Sequence, residues 1–136
     1  MKAPKPHPHK TDPPKSHHPG FLALVNAAKT RIQEIDIAEY QRLRAANETH
    51  LLIDTRENDE WEAGHAAGAI HLGKGIIERD IEGQVPSKDA KLILYCGGGY
   101  RSALAADALR QMGYTNAISL DGGWRAYQAS GLPVEK

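Results

Sequence analysis

The chain reads as a single-domain α/β protein with a mostly parallel, five-stranded sheet, and three observations carry that reading. From residue 31 onward, short apolar runs rich in β-branched residues alternate with stretches of helical spacing, the pattern of strands joined by helical crossovers. The 136 residues suit one globular unit, and 40% hydrophobic with 25% charged residues is the ordinary balance of a globular core and surface. The apolar run Leu92-Ile93-Leu94-Tyr95 passes through Cys96 and three glycines into an alanine-rich helical stretch. A strand, loop and helix in that order belong to the carboxyl edge of an open α/β sheet, where such folds place their sites.

The elements follow in order. Residues 1–20 hold Lys2, Lys5, Lys10 and Lys15 against Asp12, with six of the eight prolines, and are expected to be a disordered tail. Its histidines, His7, His9, His17 and His18, lack a scaffold and thiolate or carboxylate partners, so they read as part of a solubilising tail rather than a metal site. Residues 21–136 form the domain. They open with an amphipathic helix from Phe21 to Lys29, in which Phe21, Leu24 or Val25, Ala28 and Ile32 recur at helical spacing and should dock on the domain. A strand is expected over Arg31 to Ile35, then a helix through Leu43 opened by a capping box of Asp36 and Glu39. Leu51 to Asp54 is the second strand, Asp59 to Ala63 a short helix, Ala69 to Leu72 the third strand, and Ile76 to Ile81 a helical turn before Pro86. Lys91 to Tyr95 is the fourth strand, Arg101 to Met112 a long helix, Ala117 to Leu120 the fifth strand, and Gly122 to Ala129 the last helix.

The single cysteine sits where a nucleophile would. Gly97, Gly98 and Gly99 open backbone angles closed to other residues, so amides from Gly97 through Tyr100 and Arg101 to Ser102 are expected to curl around the Cys96 sulfur. The following helix aims its unpaired N–H groups at the same point, and Arg101 adds a fixed cation. A thiol in such a setting loses its proton readily. A merely structural, buried cysteine would need neither the glycines nor the Arg-Ser pair.

Four motifs in order make residues 30–136 resemble a single-domain rhodanese. Leu52-Ile53-Asp54-Thr55-Arg56 is similar to that family's strand ending in D-x-R. The segment from Glu60-Trp61 through Gly64-His65 to Ala69-Ile70-His71-Leu72 is similar to its E-aromatic-x-x-G-H-I-x-G-A signature, with Ala66 in place of isoleucine. The loop from Cys96 to Ser102 is similar to the sulfurtransferase active-site loop, and Asp121-Gly122-Gly123-Trp124 to the family's G-G-x-x-x-W ending, with the tryptophan moved next to the glycines. Protein tyrosine phosphatases place one more residue between nucleophile and arginine, so the tighter ring here suits a single added sulfur atom rather than a phosphoryl group.

The resemblance implies helices on both faces of the sheet and a sulfurtransferase that carries sulfane sulfur on Cys96. The implied partners are a small donor such as thiosulfate and a cyanide, small-thiol or protein-thiol acceptor, with no metal or organic cofactor. Alternatives are a sulfur-relay module that serves one protein partner, or a phosphatase or arsenate reductase. Lys74 and Arg79, after the third strand, are expected at the rim of the site as anion-binding residues. Asp54, Arg56 and His65 read as structural, and Trp61 and Trp124 as core or pocket-wall aromatics. Zero formal net charge gives no argument for nucleic acid or an anionic membrane, and no run has the apolar length of a signal or membrane segment. A lone reactive thiol persists best in a reducing compartment, which points to a cytoplasmic protein, taken as a monomer.

Overall fold

A computed structural model describes residues 17–136, so most of the expected tail, with His7 and His9, lies outside the described residues. The helices are α1 (Pro19–Lys29), α2 (Ile37–Ala45), α3 (Asn58–Ala63), α4 (Ile77–Gln84), α5 (Tyr100–Gln111) and α6 (Gly123–Ala129). The strands are β1 (Gln33–Ile35), β2 (Leu51–Asp54), β3 (His65–Ala66), β4 (Ile70–His71), β5 (Leu92–Tyr95), β6 (Ala117–Leu120) and β7 (Val134–Glu135). Five of them form one sheet in the order β1-β6-β5-β2-β4, every neighbouring pair parallel. All five therefore present their carboxyl ends to the same edge, and Cys96 follows the central strand, β5, at that edge.

Strand alternation divides the core between two faces. Ile93 and Tyr95 point to one side with Leu52, Ile118 and Leu120, under Tyr40 and Leu43 of α2 and Tyr127 of α6. Leu92 and Leu94 point to the other with Ile53, under Ile77 and Ile81 of α4 and Ala105 and Leu109 of α5. Burying each such large side chain stabilises the fold by about 1.5–3 kcal/mol, which is why β5, buried on both faces, reads as an unbroken apolar run. The expected capping box is formed: Glu39 N–H donates to Asp36 Oδ1 over 2.9 Å, and the Glu39 carboxylate accepts from the Asp36 N–H.

The helix α1 packs on α5 through Val25 and Ala28, both 1% exposed, while Leu24 is 63% exposed; the choice that the sequence left between Leu24 and Val25 goes to Val25. Arg31 then ties the segment down with Nε and Nη2 on the two Asp107 oxygens at 3.1 and 2.9 Å. The helix begins earlier than expected: Pro19 and Gly20, assigned to the tail by composition, are its first turn. A proline there has its φ already set and forfeits an N–H that would be unpaired anyway.

Three other elements depart from expectation. The region Ile76 to Ile81 is a full eight-residue helix, because Ile77 and Ile81 stand one turn apart and are both buried. The strands β3 and β7 were not anticipated; they pair antiparallel, His65 opposite Glu135 and Ala66 opposite Val134, and each is only two residues long. No periodicity can be read in two residues. The expected first strand loses Arg31 and Ile32 to a turn.

The carboxyl ends of β2 and β5 are locked together by a buried polar network. Asp54, fully buried, pairs with Arg56 at 2.8 Å and accepts a 2.6 Å hydrogen bond from the Tyr95 hydroxyl. That hydroxyl in turn accepts from Ala66 N–H at 3.0 Å, and Arg56 Nη2 donates to Gly64 O at 2.7 Å. Burial raises the Tyr95 phenol well above its ordinary range, with the bond to Asp54 adding to the effect, so it stays a donor. The roles expected of Asp54 and Arg56 are thus visible: they brace the strand end beneath the cysteine.

Candidate active site

The turn from β5 to α5 places Cys96 on the floor of an open cleft of about 1150 Å³. Cys96 is 1% exposed, and Gly99 N–H and Ser102 N–H point at its sulfur from 3.2 and 3.3 Å. Behind the sulfur lie the Ser102 hydroxyl, at 3.5 Å, and the Ser119 hydroxyl, 2.8 Å further along the chain of hydrogen bonds. Among the described residues, no imidazole or carboxylate hydrogen-bonds the sulfur. The backbone dipoles of a helix N-terminus therefore face this atom.

The expected ring of amides is narrower than the glycine run suggested. Of the three glycines only Gly99 takes a left-handed backbone, at φ +108°, where it serves as the N-cap of α5 and a Cβ would sit 3.3 Å from Gly122 N. Gly97 and Gly98 have no such angle, and a guanidinium group lies close against each. A Cβ at Gly97 would lie 3.3 Å from Arg101 Nη2, and one at Gly98 would overlap Arg125 Nη2.

The loop is clamped from the far side by α6. Trp124 N–H donates to Cys96 O over 2.6 Å and Arg125 N–H to Gly97 O over 3.2 Å. That approach is possible because Gly123 has φ +52° and no Cβ: one built there would overlap the Cys96 carbonyl oxygen. The close approach of two backbones explains the Gly-Gly pair before Trp124. Trp124 itself packs against Tyr127 and Tyr95, with ring centroids 5.8 and 6.0 Å away, and the Arg56 guanidinium lies 4.6 Å over its ring.

Arg101 is beside the site but not at liberty in it. Its Nη1 and Nη2 fork onto the two Glu60 oxygens at 2.9 and 3.2 Å. This hydrogen-bonded pair raises the Arg101 guanidinium further and lowers the Glu60 carboxyl, and negative charge on Cys96 also favours the Arg101 cation. Tyr100, the first residue of α5, faces α1: its ring centroid is 4.6 Å from that of His17 and 6.3 Å from that of Phe21, and Lys29 Nζ lies 5.2 Å above it. His17, His18 and Phe21 thereby become one wall of the cleft.

Lys74 and Arg79 do not line this cleft. Arg79 is spent on its neighbour Asp80, Nε and Nη2 at 2.7 and 2.9 Å from the carboxylate, on the exposed first turn of α4. Lys74 lies in the loop after β4, its N–H bonded to Thr55 O. The described arginines that do line it are Arg101 and Arg125, and Asp121 is also in the lining. The sequence signal for Arg125 was indirect, since it stands two residues beyond a glycine that marks a backbone contact. His65 is structural in place: it stacks on Trp61 with centroids 3.4 Å apart, and its Nδ1 donates to Trp61 O over 2.9 Å.

The chain is similar to known proteins in sequence and in fold. The family model described as Rhodanese-like domain matches residues 36–130. A sulfurtransferase from Allochromatium vinosum is 33% identical over 103 residues, covering 76% of this chain and 94% of that protein. Thiosulfate sulfurtransferase GlpE from Vibrio cholerae is 29% identical over 101 residues, covering 74% and 92%. The chain spans only 32% of a longer relative, the tRNA uridine(34) hydroxylase of Cronobacter sakazakii, which is 30% identical over 114 residues and matches 73% of this chain. Among solved structures, a protein of unknown function from Rhodopseudomonas palustris, described as a possible tyrosine phosphatase, superposes with a TM-score of 0.77 at 29% identity, covering 90% of this chain and 98% of that one.

Proposed function

The chain belongs to the family of rhodanese-like domains, and from that membership we propose that it is a sulfurtransferase that carries one sulfane sulfur as a Cys96 persulfide. The observation that supports this best is the pair of N–H groups, from Gly99 and Ser102, aimed at Cys96 Sγ at the floor of a cleft. The thiolate attacks the outer sulfur of a donor such as thiosulfate. A sulfur–sulfur bond forms to Cys96, the bond from the outer sulfur to the sulfonate sulfur breaks, and its electron pair leaves with sulfite. The donor's sulfane sulfur is itself the oxidant, so no further redox partner enters. Cyanide, a small thiol or a protein thiol then removes the outer sulfur and restores the thiolate, and the covalent intermediate divides one transfer into two easier steps.

The protein's contribution is electrostatic and geometric. Gly99 and Ser102 amides hold the anionic sulfur, and the Ser102 hydroxyl, backed by Ser119, can turn from accepting the thiol proton to donating toward the thiolate. A lone thiol used in this way suits a reducing, cytoplasmic setting. Among the described residues, no helix is long and apolar enough to cross a membrane.

A phosphatase reading draws on the description of the Rhodopseudomonas palustris protein. The geometry argues against it: only four residues, 97–100, separate Cys96 from Arg101. The Arg101 fork that would have to grip a phosphoryl group is also filled by Glu60. The deciding experiment is mass spectrometry after incubation with thiosulfate. The parent should gain one sulfur atom, lost again on adding cyanide, and Cys96→Ser should gain nothing while unfolding at the parent's temperature. Release of phosphate from an aryl phosphate, with no sulfur adduct, would overturn the proposal.

A further inference from the structure

We propose that Arg125 is the donor-specificity residue of this site, binding the anionic, sulfonate-like remainder of the donor while its outer sulfur meets Cys96. The inference deepens the sulfurtransferase reading and rests on it.

Both guanidinium groups near the loop line the cleft, but they are not equivalent. Arg101 holds the Glu60 carboxylate in a bidentate fork, so its charge is already balanced and one face of its fork is occupied. Arg125 enters no ion pair among the described residues. Its side chain is exposed at the mouth of the cleft, yet its guanidinium rests on Gly98, two residues from the nucleophile, so closely that a Cβ there would overlap it. Its backbone is pinned to the same loop by the 3.2 Å bond to Gly97 O. The backbone of Arg125 is therefore tied to the nucleophile's own loop, and its guanidinium lies against that loop.

The chemistry needs a cation at that place. When thiosulfate delivers its outer sulfur, the leaving sulfite carries away two negative charges, and the cleft also holds carboxylates in Glu60 and Asp121 that repel it. Glu60 is neutralised by Arg101. Among the described lining residues, Arg125 is the remaining Lys or Arg that can offset Asp121 and offer the planar fork that matches a sulfonate's oxygens. The acceptor half-reaction has no such need, because cyanide is small and, as hydrogen cyanide, mostly uncharged near neutral pH.

The two half-reactions therefore separate the claim. Persulfide loading is followed by mass spectrometry against thiosulfate concentration, and its discharge by cyanide is timed on protein already loaded. For Arg125→Gln the thiosulfate concentration for half-maximal loading should rise about tenfold, the effect of losing one charge-assisted contact. Arg125→Lys should restore most of it, and cyanide discharge should keep the parent rate in both. Loading of Arg125→Gln at the parent's concentrations would overturn the assignment and leave the sulfurtransferase reading standing. Equal slowing of loading and discharge would overturn it too, as that marks a disturbed loop. A parent protein that forms no persulfide at all would remove both.

Discussion

Replacing Tyr95 by Phe tests whether the buried network under the site contributes to stability or merely avoids a penalty. The ring would stay, packed between Trp124 and Tyr127 at centroid distances of 6.0 and 6.3 Å, so little apolar contact is lost. Only the hydroxyl goes. Its 2.6 Å bond to the Asp54 carboxylate is charge-assisted and worth about 1.5–3 kcal/mol, and its loss also strands the Ala66 N–H, whose 3.0 Å acceptor it was, at a cost of about 1–3 kcal/mol. Asp54 keeps Arg56, which donates to it from Nε, Nη2 and the backbone, so the carboxylate is not left alone. These contributions overlap, and the expected loss is about 2–4 kcal/mol. In urea, at a slope of about 2 kcal/mol per molar, the midpoint should fall by roughly 1–2 M with an unchanged slope. Persulfide loading should hardly move, because the carbonyl of Tyr95 still accepts from Thr55 N–H and Thr55 Oγ1 at 2.9 Å and keeps the end of β5 in register. A stability loss below about 0.5 kcal/mol would refute the reasoning and show the network to be energetically neutral, as buried ion pairs often are.

Gly123→Ala should disconnect α6 from the loop, since the new Cβ would overlap Cys96 O and force apart the Trp124 and Arg125 amide bonds; we expect a loss of about 2–4 kcal/mol and a severalfold drop in persulfide loading, and parent-like values of both would contradict the clamp. Acid should weaken the fold through carboxyls whose pKa is lowered in the native state, Glu60 by its hydrogen bonds to Arg101 and Asp107 by those to Arg31. Their contribution is complete above the ordinary values of 4.5 and 3.8 and fades as pH falls through the lower native ones. The half-exposed Glu60 pair is worth at most about 1 kcal/mol, so urea midpoints from pH 6 to 3 should fall in the parent and fall less in Glu60→Gln, and identical profiles would refute the assignment.

Much of this protein is legible in one dimension because its elements obey local rules. Leu51 to Asp54 and Ala117 to Leu120 coincide with the observed strands, since strands buried in a parallel sheet must be apolar almost throughout. Asp36 and Glu39 announce the start of α2 because a cap is a contact between residues three apart. Cys96, Gly99 and Ser102 were legible for the same reason: a strand, a left-handed glycine and a helix start bring their atoms together within seven residues. What the sequence could not show depends on contacts between distant segments. That Arg101 is held by Glu60, that Arg125 lies against Gly98, and that Gly123 is bare because Cys96 O fills its place are facts about loops from different strands meeting at one sheet edge. The same holds for β3 and β7, too short to have a period and formed only because the chain end returns beside His65. Local spacing thus determined where Cys96 sits and which two amides are aimed at its sulfur, whereas the parallel sheet decided which charges lie around it, because only closure of the sheet brings those side chains within reach of one another.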